Sequence, residues 1–145
     1  MRRRELFTYS DGGARGNPGP AAIGVVIKTP SGEVVKAFGR LIGEATNNVA
    51  EYSALIAALE VAKAHNAVVV HCHLDSELIV RQLKREYRVK NRELQSLFLK
   101  AWNLAAGFKK ITFTHVPREA NREADALVNS ALDEALALAP RQTVW

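Results

Sequence analysis

The chain has 145 residues, of which 48% are hydrophobic and 24% are charged. At about 100–200 residues per domain, this length predicts a single domain over residues 1–145, and the composition excludes a coiled coil, a collagen-like repeat and a largely disordered chain. Twenty Lys and Arg against fifteen Asp and Glu give a net charge of +5, which favours a polyanionic partner without identifying it.

The sequence also bounds the cellular setting. No stretch approaches about 18 apolar residues, so neither a transmembrane helix nor a membrane partner is expected. The N-terminal run Met-Arg-Arg-Arg-Glu-Leu-Phe has charges but no apolar segment behind them, which argues against a signal peptide. One cysteine cannot form an internal disulfide. We therefore expect a cytoplasmic protein, and we also expect it to act as a monomer.

The first third of the chain predicts three strands. Residues 6–11 would place successive side chains on opposite faces of a sheet, which indicates a strand. Residues 12–20 are rich in Gly and Pro and are expected to form a loop. Strands over residues 21–29 and 33–42 flank the turn residues Pro-Ser-Gly and predict an antiparallel hairpin.

The rest of the chain alternates helices with strands. Residues 68–74 form a continuous, partly β-branched apolar run, which suits a strand buried on both faces. Gly107 is placed to end the third helix. Helices are predicted over residues 48–65, 76–84, 92–106 and 121 to about 138, strands over 68–74 and 110–116, and a C-terminal tail over about 139–145.

This order of elements predicts an α/β fold. Three strands come first, and strands then alternate with helices, so a hairpin edge should join a parallel part in one mixed sheet with helices on both faces. Ligands of such sheets bind outside the carboxyl ends of the parallel strands.

Four acids fall at element junctions near that predicted edge. Asp11 and Asp75 each end a strand, and Glu51 and Asp125 lie in the first turns of two helices. If the first and fourth strands are adjacent and parallel, all four converge. Four unpaired acids would repel one another unless they bound a hard divalent cation. Two such ions about 4 Å apart can promote phosphodiester cleavage, so the pattern indicates a nuclease.

Each acid except one also has a purely structural explanation. Glu51 lies three residues after Asn48 and would complete a capping box. Asp75 would cap the following helix, and Asp125 would favour a helix dipole. Asp11 ends a strand, precedes Gly-Gly and has no cap to make.

A second metal site is conceivable on the strand at residues 68–74. His71, His73 and Asp75 share one face of that strand, which allows a transition-metal site. We favour histidines that are packed or partly exposed on the sheet, with Cys72 as a small buried apolar residue.

The motifs around the four acids resemble a type 1 ribonuclease H. They are Tyr-Ser-Asp-Gly-Gly-Ala-Arg-Gly-Asn-Pro-Gly-Pro at residues 9–20, Thr-Asn-Asn-Val-Ala-Glu-Tyr at 46–52, Leu-Asp-Ser at 74–76 and Asn-Arg-Glu-Ala-Asp at 121–125. They follow the family's order, and the resemblance covers about residues 5–136. It implies a mixed five-stranded sheet with strand order 3-2-1-4-5.

The resemblance also implies an activity. Members cleave the RNA strand of an RNA/DNA hybrid endonucleolytically and leave 5′-phosphate and 3′-hydroxyl ends. The four acids, Asp11, Glu51, Asp75 and Asp125, match the family's ligands for two Mg²⁺ ions, with Mn²⁺ as an alternative metal. Asp11 would bridge both ions, and Glu51 would contact a ribose hydroxyl, which distinguishes RNA from DNA.

Further positions match the family's substrate contacts. Gly12, Gly13, Ala14, Asn17, Asn47 and Asn48 correspond to minor-groove contacts, and Thr46 corresponds to a DNA-phosphate contact. Glycines let a backbone approach a groove closely. Helix capping is the alternative role for the two adjacent asparagines. A phosphate-binding P-loop is disfavoured because no Gly-Lys-Ser/Thr follows the glycines.

The chain departs from longer members in three places. It lacks their basic protrusion, and we expect Arg85 and Arg88, within a basic run at residues 81–92, to hold phosphates instead; the alternative is a solvated surface. The last loop, before Asp125, is short, and its Arg118 resembles the arginine of compact, archaeal-like members. A count back from Asp125 without gaps points instead to His115. Arg118 would act electrostatically. Glu77 replaces a Gln of some members, which leaves that groove contact in doubt.

Two other functions compete with the enzyme. One is a catalytically weak module that binds hybrids or double-stranded RNA on the same fold. The other is a different nuclease, such as a resolvase or an integrase-like core. Four intact acids favour catalysis, because a pure binder gains nothing from negative charge that faces phosphate. Cleavage of double-stranded RNA stays open.

Overall fold

A computed structural model describes residues 4–138, so the predicted tail at residues 139–145 lies outside the described part. Within it, no helix is long and apolar enough to span a membrane. The strands are β1 (Glu5–Ala14), β2 (Gly19–Lys28), β3 (Val34–Ala45), β4 (Val69–Leu74) and β5 (Lys110–His115), and the helices are α1 (Asn47–Ala64), α2 (Glu77–Leu83), α3 (Arg92–Ala106) and α4 (Arg122–Leu138).

The five strands form one mixed sheet in the order β3-β2-β1-β4-β5. The β1/β2 and β2/β3 pairs are antiparallel, whereas β4 is parallel to both β1 and β5. The predicted fold and strand order are confirmed. The last residue pair of β1 and β4 is Ser10 with Leu74, so Asp11 and Asp75 follow at the same edge of the sheet.

Helices cover the two faces of the sheet. On one face, α1 packs against β1, β2 and α3 over a core that includes Leu6, Ile23 and Leu55. On the other face, α4 packs against β1–β3, with Val128 and Leu132 buried. This layered packing holds the first turns of α1 and α4 beside the carboxyl edge of β1.

The predicted loop at residues 12–20 is too long. Gly12, Gly13 and Ala14 continue β1 and pair with Ile23, Ala22 and Ala21 of β2. Small side chains and pairing with the neighbouring strand outweigh the weak strand propensity of glycine. The connection shortens to residues 15–18, and the peptide bond between Asn17 and Pro18 is cis.

The expectation that β4 is buried on both faces is wrong. Val70, Cys72 and Leu74 are buried, but the alternate residues Val69, His71 and His73 are only half-buried. The reason is that α4 packs over β1–β3 on that side and not over β4. The apolar run therefore marks a central strand with one covered face.

Candidate metal centre

Three of the four predicted acids meet at the carboxyl edge of the sheet. Asp11 lies on β1, Glu51 on α1 and Asp75 directly after β4. Asp11 and Glu51 are each 7% exposed. One carboxylate oxygen from each acid lies within 4.8 Å of the others, a spacing that allows them to bind one ion together.

Glu51 reaches this edge because α1 lies very close to β1. A Cβ atom on Gly12 would collide with the backbone of Ala50 and Glu51, so only glycine allows the approach. The Gly12 amide donates to Oε1 of Glu51 at 2.6 Å. The capping-box alternative for Glu51 is wrong, because the N-cap of α1 is Thr46, whose Oγ1 accepts from the Val49 amide at 3.2 Å.

Asp75 is also free of a capping role. Ser76 is the N-cap of α2, and its Oγ accepts from the Ile79 amide at 3.3 Å. The Asp75 carboxylate instead accepts at Oδ2 from Nδ2 of Asn121 at 3.4 Å. The sequence alternative that made Asp75 a helix cap is therefore wrong.

The electrostatics of the cluster favour a bound cation. Burial, and after it the nearby charge of Asp75, raises the pKa of Asp11 to about 6. Burial first and Asp11 second hold the pKa of Glu51 well above its usual range. Oε2 of Glu51 is buried without a hydrogen-bond partner among residues 4–138. A hard divalent ion with oxygen ligands fits these acids.

The fourth acid lies at the margin of the cluster. Asp125 lines the same cleft of about 470 Å³ as the other three, and its proximity contributes to the raised pKa of Asp11. It is not part of the group whose oxygens lie within 4.8 Å. The structure thus brings three acids together and places the fourth at the cleft wall, in the first turn of α4, where a favourable dipole interaction also applies.

The predicted groove contacts border the acids. Gly12, Gly13, Ala14, Asn47 and Asn48 line the same cleft, whereas Asn17 and Thr46 line a neighbouring pocket that also includes Asn47 and Asn48. Asn47 connects the end of β1 and the loop after it to α1: its Oδ1 accepts from the Ala14 amide at 2.9 Å, and its own amide donates to Oδ1 of Asn17 at 3.0 Å. The N-cap of α1 is Thr46 and neither asparagine, so the capping alternative is wrong.

The three arginines predicted to act on the substrate lie in two different grooves. Arg118 is exposed on the 3₁₀ turn before α4 and lines the acidic cleft, while His115 at the end of β5 is not among the cleft residues. Arg85 and Arg88 line a different groove of about 640 Å³, in which the Arg85 guanidinium lies 5.5 Å from the Trp102 ring. The structure does not bring these two arginines to the acids.

The histidines of β4 are engaged in local contacts. His71 bonds to Glu5 at 2.5 Å and to Thr112 at 3.0 Å, and His73 stacks on Tyr9 with ring centroids 4.5 Å apart. Within the described residues, the group suited to hold a metal is the acidic trio. Asp75 belongs to that trio and not to a site with the histidines. Cys72 is fully buried, as expected for a small apolar residue.

Asn121 and Arg15 are among the residues of the cleft region to which the sequence gave no role. Asn121 is buried and contacts Asp75; its only signal was its place in the motif at residues 121–125. Arg15 lines the cleft and donates to Asp133 of α4 at 2.6 Å. No local pattern predicts that ion pair, because its partners are far apart in the chain.

Known proteins resemble this chain in sequence and structure. Residues 9–131 match a family model described as reverse transcriptase-like. Ribonuclease HI of Halobacterium salinarum is 45% identical over 90% of this chain, and a bifunctional protein of Mycobacterium tuberculosis is 44% identical over 90%. The chain spans 65% of the first relative's length and 36% of the second's.

Two solved structures agree over nearly their whole length. The ribonuclease H1 of H. salinarum has a TM-score of 0.88 at 44% identity, with 90% of this chain and 99% of that chain covered. LC11 ribonuclease H1, solved in complex with an RNA/DNA hybrid, has a TM-score of 0.86 at 46% identity with the same coverage. With the motifs, the sheet order and the acidic trio in place, these matches show that the chain belongs to the type 1 ribonuclease H family.

Proposed function

We propose that this chain is a metal-dependent endoribonuclease that hydrolyses the RNA strand of RNA/DNA hybrids and leaves 5′-phosphate and 3′-hydroxyl ends. The observation that carries the proposal is the convergence of Asp11, Glu51 and Asp75 within 4.8 Å. The relative solved with an RNA/DNA hybrid supports the substrate class. In this proposal residues 1–145 act as a single domain.

The acids are proposed to bind Mg²⁺, with Mn²⁺ as a substitute. Asp11, Glu51 and Asp75 would hold the metal, and Asp125 would complete the site from the cleft wall. With substrate bound we expect two ions and a bridging role for Asp11. Bound divalent ions lower the pKa of a water molecule and neutralise charge on a phosphodiester.

The chain's own residues prepare the site for this chemistry. The Gly12 amide fixes Oε1 of Glu51 and leaves Oε2 free to bind the metal or the ribose hydroxyl. Arg118 would place a positive charge beside the scissile phosphate and would act electrostatically.

Substrate binding is proposed for the residues around this cleft. Gly12, Gly13 and Ala14, which line the acidic cleft and carry at most a methyl side chain, would contact the minor groove. Asn17, Asn47 and Asn48 would contact groove atoms, and Thr46 a DNA phosphate. Arg85 and Arg88 would extend the contact to more distant phosphates. A monomer in the cytoplasm remains the expected state.

Cleavage of labelled duplexes tests the proposal. Wild-type protein should cut RNA/DNA in the presence of Mg²⁺ and leave DNA/DNA intact, and RNA/RNA tests whether double-stranded RNA is a second substrate. Asp11→Asn should lose at least about 10³-fold in kcat while it remains folded, because one metal-binding oxygen loses its charge. Glu60→Gln, an exposed acid on α1, is the matched control and should retain activity.

Two results would count against the proposal. Full Mg²⁺-dependent activity in Asp11→Asn would remove the acids from the mechanism. Tight hybrid binding by the wild-type protein without any cleavage would support the alternative of a catalytically weak binding module.

A further inference from the structure

Asn121 is a buried polar side chain whose position the proposed chemistry leaves unexplained. It is 1% exposed and ends the 3₁₀ turn that leads into α4. Its Nδ2 donates to the Ser10 carbonyl at 2.8 Å and to Oδ2 of Asp75 at 3.4 Å. A primary amide has two N–H bonds, so both acceptors can be bound at once.

These two acceptors belong to the strands that carry the acids. Ser10 immediately precedes Asp11 on β1, and Asp75 immediately follows β4. The carboxamide therefore bridges the two strands beside their last pair, Ser10 with Leu74. It does so from the start of α4, four residues before Asp125, and thus connects the elements that position three of the acids.

The orientation of the carboxamide is determined by its neighbours. If the amide were reversed, Oδ1 would face a carbonyl oxygen and a carboxylate, which are both acceptors. In the observed orientation Oδ1 is buried without a hydrogen-bond partner among residues 4–138. Buried polar atoms are normally paired, so the two donated bonds outweigh one unpaired acceptor. An apolar side chain of the same shape would fill the space but donate nothing.

We infer that Asn121 is a positioning residue for the metal centre: its carboxamide holds the Asp75 carboxylate in register with Asp11 so that the acids bind a divalent cation as a set. The catalytic meaning of this inference rests on the proposed function. Its effect on cation affinity does not, because that affinity is measurable without substrate. Hydrogen bonds to metal-binding side chains typically change metal affinity or activity by about 10–100-fold.

Two variants test the inference by Mg²⁺ calorimetry on metal-free protein and by hybrid-cleavage kinetics. Asn121→Leu keeps the shape and loses both donors, and Asn121→Ala removes the carboxamide. Both should weaken Mg²⁺ binding and lower kcat by about tenfold or more, with KM for the hybrid little changed. Cys72→Ala, a buried change on β4, should lower stability yet keep Mg²⁺ affinity and kcat.

A measurement on the wild-type protein avoids any folding defect of the variants. The side-chain amide protons of Asn121 should exchange slowly with solvent and shift during an Mg²⁺ titration, whereas those of exposed Asn103 should exchange fast and stay in place. Wild-type Mg²⁺ affinity in Asn121→Leu, or fast exchange at Asn121, would overturn the inference. If the wild-type protein failed to cut hybrids, the proposed function would fail, and the Mg²⁺ affinities would still decide the role of Asn121.

Discussion

Asp11 and Glu51 place negative charge in a buried position, and none of the ion pairs among residues 4–138 involves either acid. Burial of a carboxylate opposes its ionisation, and the raised pKa values of both acids express that opposition. The burial of this negative charge destabilises the folded, metal-free protein. The acids that we assign to metal binding are thus destabilising until a cation reaches them, which is a common trade between activity and stability.

The buried Asp11 carboxylate should make the stability of the metal-free protein depend on pH. The pKa of Asp11 rises from 3.8 to about 6 on folding, so between these values the folded state holds a proton that the unfolded state has lost. The free energy of unfolding should therefore fall as pH rises from about 4 to 6. At pH 7.5 with EDTA, Asp11→Asn should be more stable than wild type by on the order of 2 kcal/mol. Thermal unfolding measures the difference.

The pH dependence separates this effect from an ordinary substitution. At pH 3.5 the wild-type Asp11 is protonated in the folded state, and the advantage of Asp11→Asn should disappear. Glu60→Gln, which removes an exposed negative charge, should change stability by less than about 0.5 kcal/mol at either pH. An equal gain for Asp11→Asn at both pH values would contradict the charge-burial explanation.

At the residue scale, the sequence predicted the acids but not their hydrogen bonds. The residues Asp11, Glu51 and Asp75 lie in motifs whose spacing is visible in the chain. Capping roles depend on backbone angles at the helix start, so Thr46 was not distinguished from Asn48. The role of Asn121 depends on an acceptor 111 residues earlier in the chain, which no local pattern indicates.

At the level of elements, the contact between α4 and the sheet depends on glycine. A Cβ atom at Gly24 of β2 would collide with the carbonyl oxygen of Ala124, and one at Gly39 of β3 would meet the carbonyl oxygen of Leu127 at 2.5 Å. Both contacts are with α4 backbone, which cannot rotate away as a side chain can. Two glycines therefore fix the depth of α4 on the sheet, and with it the position of Asp125.

This contact makes the stability of the protein sensitive to a side chain at Gly24. Gly24→Ala should displace α4 and lower the free energy of unfolding by about 1–3 kcal/mol, the usual cost of overpacking. Gly13→Ala on β1 is the matched control, because a Cβ atom there meets only Val128 Cγ1 at 3.6 Å. Its stability should stay equal to wild type or rise by up to about 1 kcal/mol. Urea unfolding of both variants measures the contrast, and equal stabilities would contradict it.

Two errors of prediction at this scale have physical causes. The Gly-rich segment was expected to leave the sheet at Gly12, but backbone pairing with β2 extends β1 to Ala14. The apolar run at residues 68–74 was expected to be covered on both faces, yet it alternates in burial. Apolar content shows that a strand is central. It does not show which helix covers its second face, because that depends on where α4 packs.

At the scale of the whole molecule, the chain separates its charges. The net charge is +5, yet acids dominate the cleft at the carboxyl edge of β1, and the run that carries Arg85 and Arg88 borders another groove. The order of strands was predictable, because the family resemblance and the pattern of three strands followed by alternating elements agree. The separation of the grooves was not, because it depends on how α2 and α3 pack.

The basic groove that contains Arg85 and Arg88 is the surface that the proposed function assigns to distant phosphates. Replacement of Arg85 and Arg88 by Ala should raise KM for the hybrid and leave kcat nearly unchanged, since the groove is separate from the acids. If both arginines bind phosphates, the slope of log affinity against log salt should flatten by about 2, close to one unit per lost contact. Binding titrations over roughly 50 to 200 mM salt measure this slope.

The matched control removes two equal charges elsewhere. Lys63, near the end of α1, and Lys109, immediately before β5, are both exposed. They lie toward the edge of the sheet where β4 and β5 begin, opposite the acids. A double Ala variant at these lysines changes the net charge by the same amount but should leave the salt slope unchanged. If both double variants flattened the slope equally, the effect would come from net charge alone, and the groove of Arg85 and Arg88 would have no specific part in hybrid binding.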